Sequence, residues 1–315
     1  MSKIKVGVIG VGHLGRHHAR IFSELEDCEL YAVVDTDSKQ AQEIAAEYRT
    51  RAMTDYNDLI GKVEAVSIAV PTVLHYQIAK DMLSQGIDVL VEKPMTSTLQ
   101  HARELIDLAD HQKAILQVGH LERFNGAVLA LEKYINDPRF IESHRIAPFV
   151  ERGVDVDVVL DLMIHDIDII LSLVKSKAKR IEAVGVPVIS SKIDIANARL
   201  EFENGCLANV TASRVSLKKE RKIRLFQRNA YFSLDYADSQ LYSCTIKKDA
   251  GENKPYPFHV VRNDIPVQEI EPLKAELEAF VHSCYTRKKP VVSGEEGHEA
   301  LAVAFKILEK IPSIS

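Results

Sequence analysis

The sequence predicts an N-terminal α/β domain with a doubly wound parallel sheet, followed by an α+β domain built on a large, mostly antiparallel open sheet. Three observations carry this expectation. Short apolar runs alternate with helix-patterned segments over the first ~120 residues. A glycine-rich turn, Gly10-Val-Gly12-His-Leu-Gly15, joins the first apolar run to the first helix. After about Gly119 the alternation gives way to successive strand-like runs with few helices between them. Residues 1–120 are therefore read as the first domain and 121–315 as the second.

In the first domain, residues 3–9, 30–35, 65–70, 89–92 and 115–118 are apolar runs of strand character. Residues 14–24, 38–48, 76–85 and 99–110 have helical spacing. Strands that are apolar throughout and separated by helices imply a parallel sheet covered on both faces. In the second domain, 127–134 and 158–174 read as helices, and 181–189, 193–202, 206–215, 223–227, 231–234 and 241–246 as strands. Asn204-Gly205 between two of these runs is a two-residue hairpin signal. Residues 249–257 read as an exposed loop, and 273–285 and 295–311 as closing helices.

A chain of 315 residues can fill two domains and bury a substantial core without disulfide staples. A net charge of −5 argues against a phosphate-tracking surface, so nucleic acid is not an expected partner. Cys28, Cys206, Cys244 and Cys284 have no metal-like spacing and read as reduced thiols, with no metal site. The first strand begins almost at the N-terminus, which leaves no room for a signal peptide. No apolar run approaches the ~20 residues of a membrane span, and a cytoplasmic location is the expectation.

Each glycine of the turn has a distinct task. Gly10 permits the tight bend, Gly12 lets the backbone approach a pyrophosphate, and Gly15 allows close helix–strand packing. The helix that follows offers unpaired N–H groups and the positive end of its dipole to the phosphates, with His13 and Leu14 in the same turn. This is a Rossmann fingerprint. Asp35 ends the second strand about 20 residues on from Gly15, where a carboxylate accepts both ribose hydroxyls and repels a 2′-phosphate. NAD is therefore expected over NADP, with Lys39 near enough to leave NADP open.

Glu92-Lys93-Pro94 ends a sheet strand, on the side where such sheets bind ligands, so Lys93 would either face the nicotinamide or be a solvated surface lysine. Asp161 and His165 are four residues apart and would share one helix face. In so apolar a helix they need partners, either as a structural hydrogen-bonded pair or as a proton-transfer pair. His17 and His18 lie inside the first helix, where they pack, face solvent or touch the cofactor. The stretch from Arg214 to Arg228 holds Lys218, Lys219, Arg221, Lys222 and Arg224 against a single acid, Glu220. It reads as a cradle for a nucleotide diphosphate or as a solvated strand face.

The glycine fingerprint, Glu92-Lys93-Pro94 and the Asp161/His165 pair together resemble the glucose–fructose oxidoreductase and inositol dehydrogenase family (Gfo/Idh/MocA) over nearly the whole chain. The resemblance implies that Lys93, Asp161 and His165 form the catalytic group around the reacting carbon of a sugar or polyol. Pro71, Thr72 and His75 match a family segment that lines the cofactor, as Glu92 and His120 would. It also implies a C-terminal sheet with one face for substrate and the other for a second subunit, hence a homodimer or homotetramer. The segment Gly119-His120-Leu-Glu-Arg123-Phe-Asn125 resembles a subgroup that oxidises the 3-hydroxyl of a UDP-N-acetylglucosamine-type sugar on the way to lipid A-type molecules of lipopolysaccharide. Residues 155–168 and 197–216 also fit that subgroup. Lys93, Arg123, Asn125, Asp161, His165 and Arg214 would then contact substrate. By that resemblance His165, an imidazole with a reference pKa of about 6.5, would take the hydroxyl proton. Another sugar or polyol dehydrogenase, inositol-like, is the alternative within the family. A non-catalytic dinucleotide-binding sensor is the alternative outside it, but a sensor has no need for the Lys93, Asp161 and His165 set.

Overall fold

The computed structural model describes residues 3–149, 156–248 and 258–312, so the expected loop at 249–257 and Asp155 lie outside the described residues. The chain forms two compact units, Met1–Leu121 with Glu271–Leu301, and Glu122–Ile270 with Ala302–Ser315.

The first unit is built on β1 (Ile4–Ile9), β2 (Cys28–Val34), β3 (Arg51–Met53), β4 (Ala65–Ile68), β5 (Asp88–Glu92) and β6 (Leu116–Gly119). Their order is β3-β2-β1-β4-β5-β6, and every pair is parallel. Helices α1 (Gly15–Glu24), α2 (Ser38–Tyr48), α3 (Thr72–Ser84) and α4 (Leu99–Gln112) connect them. All four residues of β4 and all five of β5 are buried, as a sheet covered on both faces requires. The strand order reverses between β1 and β4, which marks the ligand crevice at the carboxyl ends of these strands. β3 has three residues and no apolar run, so hydrophobic pattern does not reveal it. α3 starts at Thr72 rather than 76, because Pro71 stands immediately before it with φ −57° already set for helix entry.

The second unit carries α5 (Gly126–Glu132), β7 (Pro138–Ile146), a π-helical turn (Val159–Met163) running into α6 (Ile164–Val174), and strands β8 (Ala178–Val186), β9 (Ile195–Phe202), β10 (Leu207–Ser213), β11 (Glu220–Gln227), β12 (Ala230–Asp235), β13 (Gln240–Lys248) and β14 (Phe258–Ile265). The sheet order is β14-β13-β12-β11-β7-β10-β9-β8, antiparallel throughout except for the parallel β7–β10 pair. A hairpin does form at Asn204-Gly205, but its connection is three residues long rather than two: Phe202 pairs with Cys206 through its N–H and the Cys206 carbonyl at 2.9 Å, Gly205 adopts φ +82°, and the Gly205 N–H donates to the Phe202 carbonyl at 2.9 Å. α6 packs on β7 and β10, and α5 on β12 and β13. The buried layer includes Ile141, Ile223, Leu225, Leu234, Val210, Ile167 and Ile170. β7 escaped the sequence reading although it is central, because its inward positions next to Ile141 are Ser143 and Arg145 rather than apolar residues.

The last helices, α7 (Pro272–Thr286) and α8 (Gly294–Lys310), change the expected domain division. Residues 271–301 belong to the first unit, although the order of elements along the chain assigns everything after 120 to the second. Leu277, Phe280, Val281 and Cys284 of α7 join Val6, Phe22 and Leu30 in one buried cluster. Gln117 Nε2 donates to the Glu276 carbonyl at 3.2 Å, and Arg287 donates to Asp88 at 3.0 Å. The period of an amphipathic helix reports that it covers a core, not which core it covers. No helix among the described residues is long and apolar enough to cross a membrane.

Candidate functional site

The glycine turn has the shape a dinucleotide needs. A β-carbon on Gly10, which sits at φ +82°, would fall 2.6 Å from the Ala69 carbonyl oxygen. One on Gly15 would fall 1.8 Å from the Gly10 carbonyl oxygen, while one on Gly12 meets only Gln40 Nε2, at 4.0 Å. Gly10 and Gly15 thus serve the turn, and Gly12 leaves open room beside it. No side chain caps the N-terminus of α1 and its first turn holds no acid, so the positive end of the helix dipole is left for an anion. His13 and Leu14 are exposed at this end, and His13 packs edge-on against His17 at 5.7 Å. Asp35 stands at the end of β2, its Oδ2 accepting from the Val11 N–H at 2.9 Å and its Oδ1 from the Asp37 N–H at 3.0 Å. These bonds aim a carboxylate beside the turn, the position a ribose requires. Lys39 is exposed and lies 3.9 Å from Glu43. The residues present therefore fit NAD.

A buried polar chain leads to the end of β5. His18 Nδ1 is 2.7 Å from Ser67 Oγ, and its Nε2 is 3.3 Å from Glu92 Oε1. Glu92 Oε2 accepts the Lys93 N–H at 3.2 Å. A β-carbon on Gly119 would fall 2.9 Å from that carboxylate, so the glycine makes room for it. His75 closes the other side: Nδ1 is 3.0 Å from the Pro94 carbonyl oxygen and Nε2 is 2.8 Å from that of Val70. Burial lowers its pKa, against the pull of those carbonyls. Glu92, Lys93 and His75 thus come together, with Lys93 half-buried. Pro71 and Thr72 open α3 one turn before His75, and His120 is buried just beyond β6. Hydrophobic pattern alone did not separate His18 from a packing residue; its partner Ser67 lies in a fully buried strand, where any hydroxyl needs a bond.

In the second unit Asp161 lies in the π-helical turn and His165 in the first turn of α6, both half-buried. The next residue, Asp166, faces the sheet. It accepts from Arg145 Nε at 2.6 Å and from Ser143 Oγ at 2.7 Å, and Arg145 Nη1 donates to Glu122 at 2.8 Å. Burial opposes the charge on Arg145, but Asp166 and Glu122 outweigh it and hold the guanidinium protonated. Arg145 also lies 5.2 Å over the Tyr236 ring. This network anchors the helix of Asp161 and His165, and no local sequence pattern reports it because its parts are spread along the chain from Glu122 to Tyr236.

The structure places three other expected site residues in supporting positions. Arg123 is buried and donates to Asp168 at 3.4 Å. Asn125 caps α5, accepting the Ala127 N–H at 2.9 Å. Arg214 is buried against Asp194 at 2.8 Å, with further bonds to the Val156 carbonyl at 2.6 Å and Ser190 at 3.1 Å. Burial works against the Asp194 charge, yet hydrogen bonds from Ser190, Ile189 and Arg214 outweigh it and hold the carboxyl well below its usual range. Thiol chemistry has little support: burial pushes the Cys28 pKa up to about 12 and that of Cys206 to about 11.

Comparison with known proteins agrees with this geometry. Residues 4–120 match a family model described as an oxidoreductase family with an NAD-binding Rossmann fold, and residues 126–233 match a GFO/IDH/MocA C-terminal domain. The chain is 35% identical to UDP-N-acetylglucosamine 3-dehydrogenase from Acidithiobacillus ferrooxidans, over 98% of this chain and 97% of that protein. A solved structure of that enzyme superposes with a TM-score of 0.91 at 33% identity, covering 99% of this chain and 98% of the other. Inositol 2-dehydrogenase from Rhizobium meliloti is 24% identical over 96% of this chain and 94% of its own length. Scyllo-inositol dehydrogenase from Lactobacillus casei, solved with NAD(H) and scyllo-inositol, shares the fold with a TM-score of 0.79 at 18% identity, covering 98% of this chain and 97% of the other.

Proposed function

The chain belongs to the GFO/IDH/MocA family of NAD-binding oxidoreductases, and we propose that it oxidises the 3-hydroxyl of UDP-N-acetylglucosamine. The observation that carries the substrate is the 35% identity to UDP-N-acetylglucosamine 3-dehydrogenase along 98% of the chain. The inositol dehydrogenase relative stands lower, at 24%.

Bound NAD supplies the hydride acceptor, and the residues of the chain supply geometry and charge. His165 takes the proton of the sugar 3-hydroxyl as the C–H bond is broken. Lys93 stabilises the negative charge that develops on that oxygen. Asp161 orients these groups and balances their charge. Glu92, His18 and His75 hold the backbone at Lys93 and Pro94. Arg123, Asn125 and Arg214 are assigned to support rather than to substrate, because their polar groups are engaged inside the second unit.

The product would be a 3-keto nucleotide sugar, the substrate an aminotransferase needs to make a 3-amino sugar for lipopolysaccharide. Four free thiols suit a reducing cytoplasm. The sheet face turned away from α6 exposes Val184 and Val186 near one edge and Ile246 and Val260 near the other, which suits a homodimer or homotetramer formed through this sheet. The test is to mix the protein with NAD and, separately, UDP-N-acetylglucosamine and myo-inositol, and to follow formation of reduced cofactor. Rapid reduction with the nucleotide sugar alone is the expected result. Reduction with inositol and none with the nucleotide sugar would overturn the assignment.

A further inference from the structure

The expected basic cradle from Arg214 to Arg228 resolves into separate fates, and one residue stands apart. Arg214 is buried against Asp194. On one face of β11, Lys222 lies 3.4 Å from Asp235 and Arg224 lies 3.2 Å from Glu142. Arg221 points to the other face, that of the buried Ile223 and Leu225, beneath the helical layer. It is half-buried there, directly opposite Arg145 in the β11–β7 register. Among the described residues no carboxylate forms an ion pair or hydrogen bond with it. The two acids nearest in effect, Glu122 and Asp166, are bonded to Arg145. Burial, and then Arg145, pull the Arg221 pKa down, and Glu122 and Asp166 offset this only in part.

Glu122 and Asp166 spend their oxygens on Arg145, so the half-buried Arg221 guanidinium keeps donors for a further anion. Its place says which anion. Arg221 is paired with Arg145, Arg145 is bonded to Asp166, and Asp166 follows His165 in the chain. The open cation therefore stands one side chain away from the anchor of the proposed base. A second unused group lies in the same cluster: the fully buried Tyr236 hydroxyl has no hydrogen-bond partner among the described residues, and its ring packs on Arg145. We propose that Arg221 binds the diphosphate of the substrate, and so selects a nucleotide sugar over a neutral polyol. A guanidinium fork suits this task, because it can donate two parallel bonds to phosphate oxygens. The inference rests on the nucleotide-sugar reading above.

The test is titration of the NAD-saturated protein with UDP and, separately, with uridine, for the parent, Arg221→Gln and Arg221→Lys. Arg221→Gln should weaken UDP binding ~10–100-fold, the range of one or two lost charge-assisted hydrogen bonds. Arg221→Lys should recover part of it, while uridine and NAD affinities stay unchanged. In turnover, Arg221→Gln should raise KM for UDP-N-acetylglucosamine by a similar factor and change kcat much less. Equal UDP affinity in all three proteins, equal loss of UDP and uridine binding, or no UDP binding by the parent would each overturn the inference. If Arg221→Gln does not fold, the same comparison is read from Arg221→Lys. UDP binding that depends on residue 221, without oxidation of UDP-N-acetylglucosamine, would sink the proposed reaction and leave the anion site standing.

Discussion

Replacing Gly12 with Ala separates cofactor binding from folding. The added methyl meets only Gln40 Nε2 at 4.0 Å, so the protein itself has room for it. Glycine-to-alanine changes at tolerant positions stabilise by ~0.4–1 kcal/mol through the unfolded chain. The Tm of the cofactor-free variant should therefore stay the same or rise slightly. The methyl does, however, occupy the open side of the turn, where a pyrophosphate must approach the uncapped end of α1. Losing one charge-assisted bond there costs about 1.5–3 kcal/mol, which raises Kd for NAD ~10–100-fold. Gly15→Ala is the contrast. Its methyl would lie 1.8 Å from the Gly10 carbonyl oxygen, so the turn must move and Tm must fall. Calorimetric titration with NAD and thermal melts of the cofactor-free proteins read both quantities. If Gly12→Ala binds NAD like the parent, or melts as early as Gly15→Ala, the division of labour among these glycines is wrong.

Other outcomes follow from the same geometry. Lys93→Ala should lower kcat by ~10³-fold or more, as loss of a group stabilising a developing oxyanion does, while NAD still binds; near-normal turnover would remove Lys93 from the reaction. Asp35→Asn should weaken NAD and improve NADP, since the carboxylate beside Val11 no longer repels a 2′-phosphate; an unchanged NADP to NAD preference ratio would contradict the role. Asp194→Asn removes the carboxylate charge bonded to the buried Arg214 and should cost about 3–5 kcal/mol in urea unfolding. Because the folded pKa of Asp194 lies below its ordinary value of 3.8, its contribution is complete above that pH and is lost as pH falls toward the folded value. The variant should therefore show a flatter acid limb of stability, and an unaltered limb would show that the ion pair contributes nothing there.

The parallel half of the molecule was legible because each of its signals is local. Continuous apolar runs report two covered faces, and a glycine turn between strand and helix reports a phosphate site. The hairpin at Asn204-Gly205 was legible for the same reason, since Gly205 supplies the positive φ of the turn, although the connection is one residue longer than the dipeptide implies. β3 and β7 were not. One is too short for a pattern, and the other turns Ser143 and Arg145 inward, which is stable only because Asp166 waits across the layer.

Charge shows the same divide. Seven basic residues between Arg214 and Arg228 look alike as a string, yet strand alternation and partner choice give them different fates. Neighbours along the chain were enough to reveal the cofactor turn and the change from parallel to antiparallel sheet, because both are written in local pattern. Tertiary structure alone decided that α7 completes the first core, that His18 and Ser67 support Glu92, and that Arg214 is buried while Arg221 stays open. Those outcomes depend on which groups meet across sheets and layers, and residues far apart in the chain carry no mark of the partner they will find.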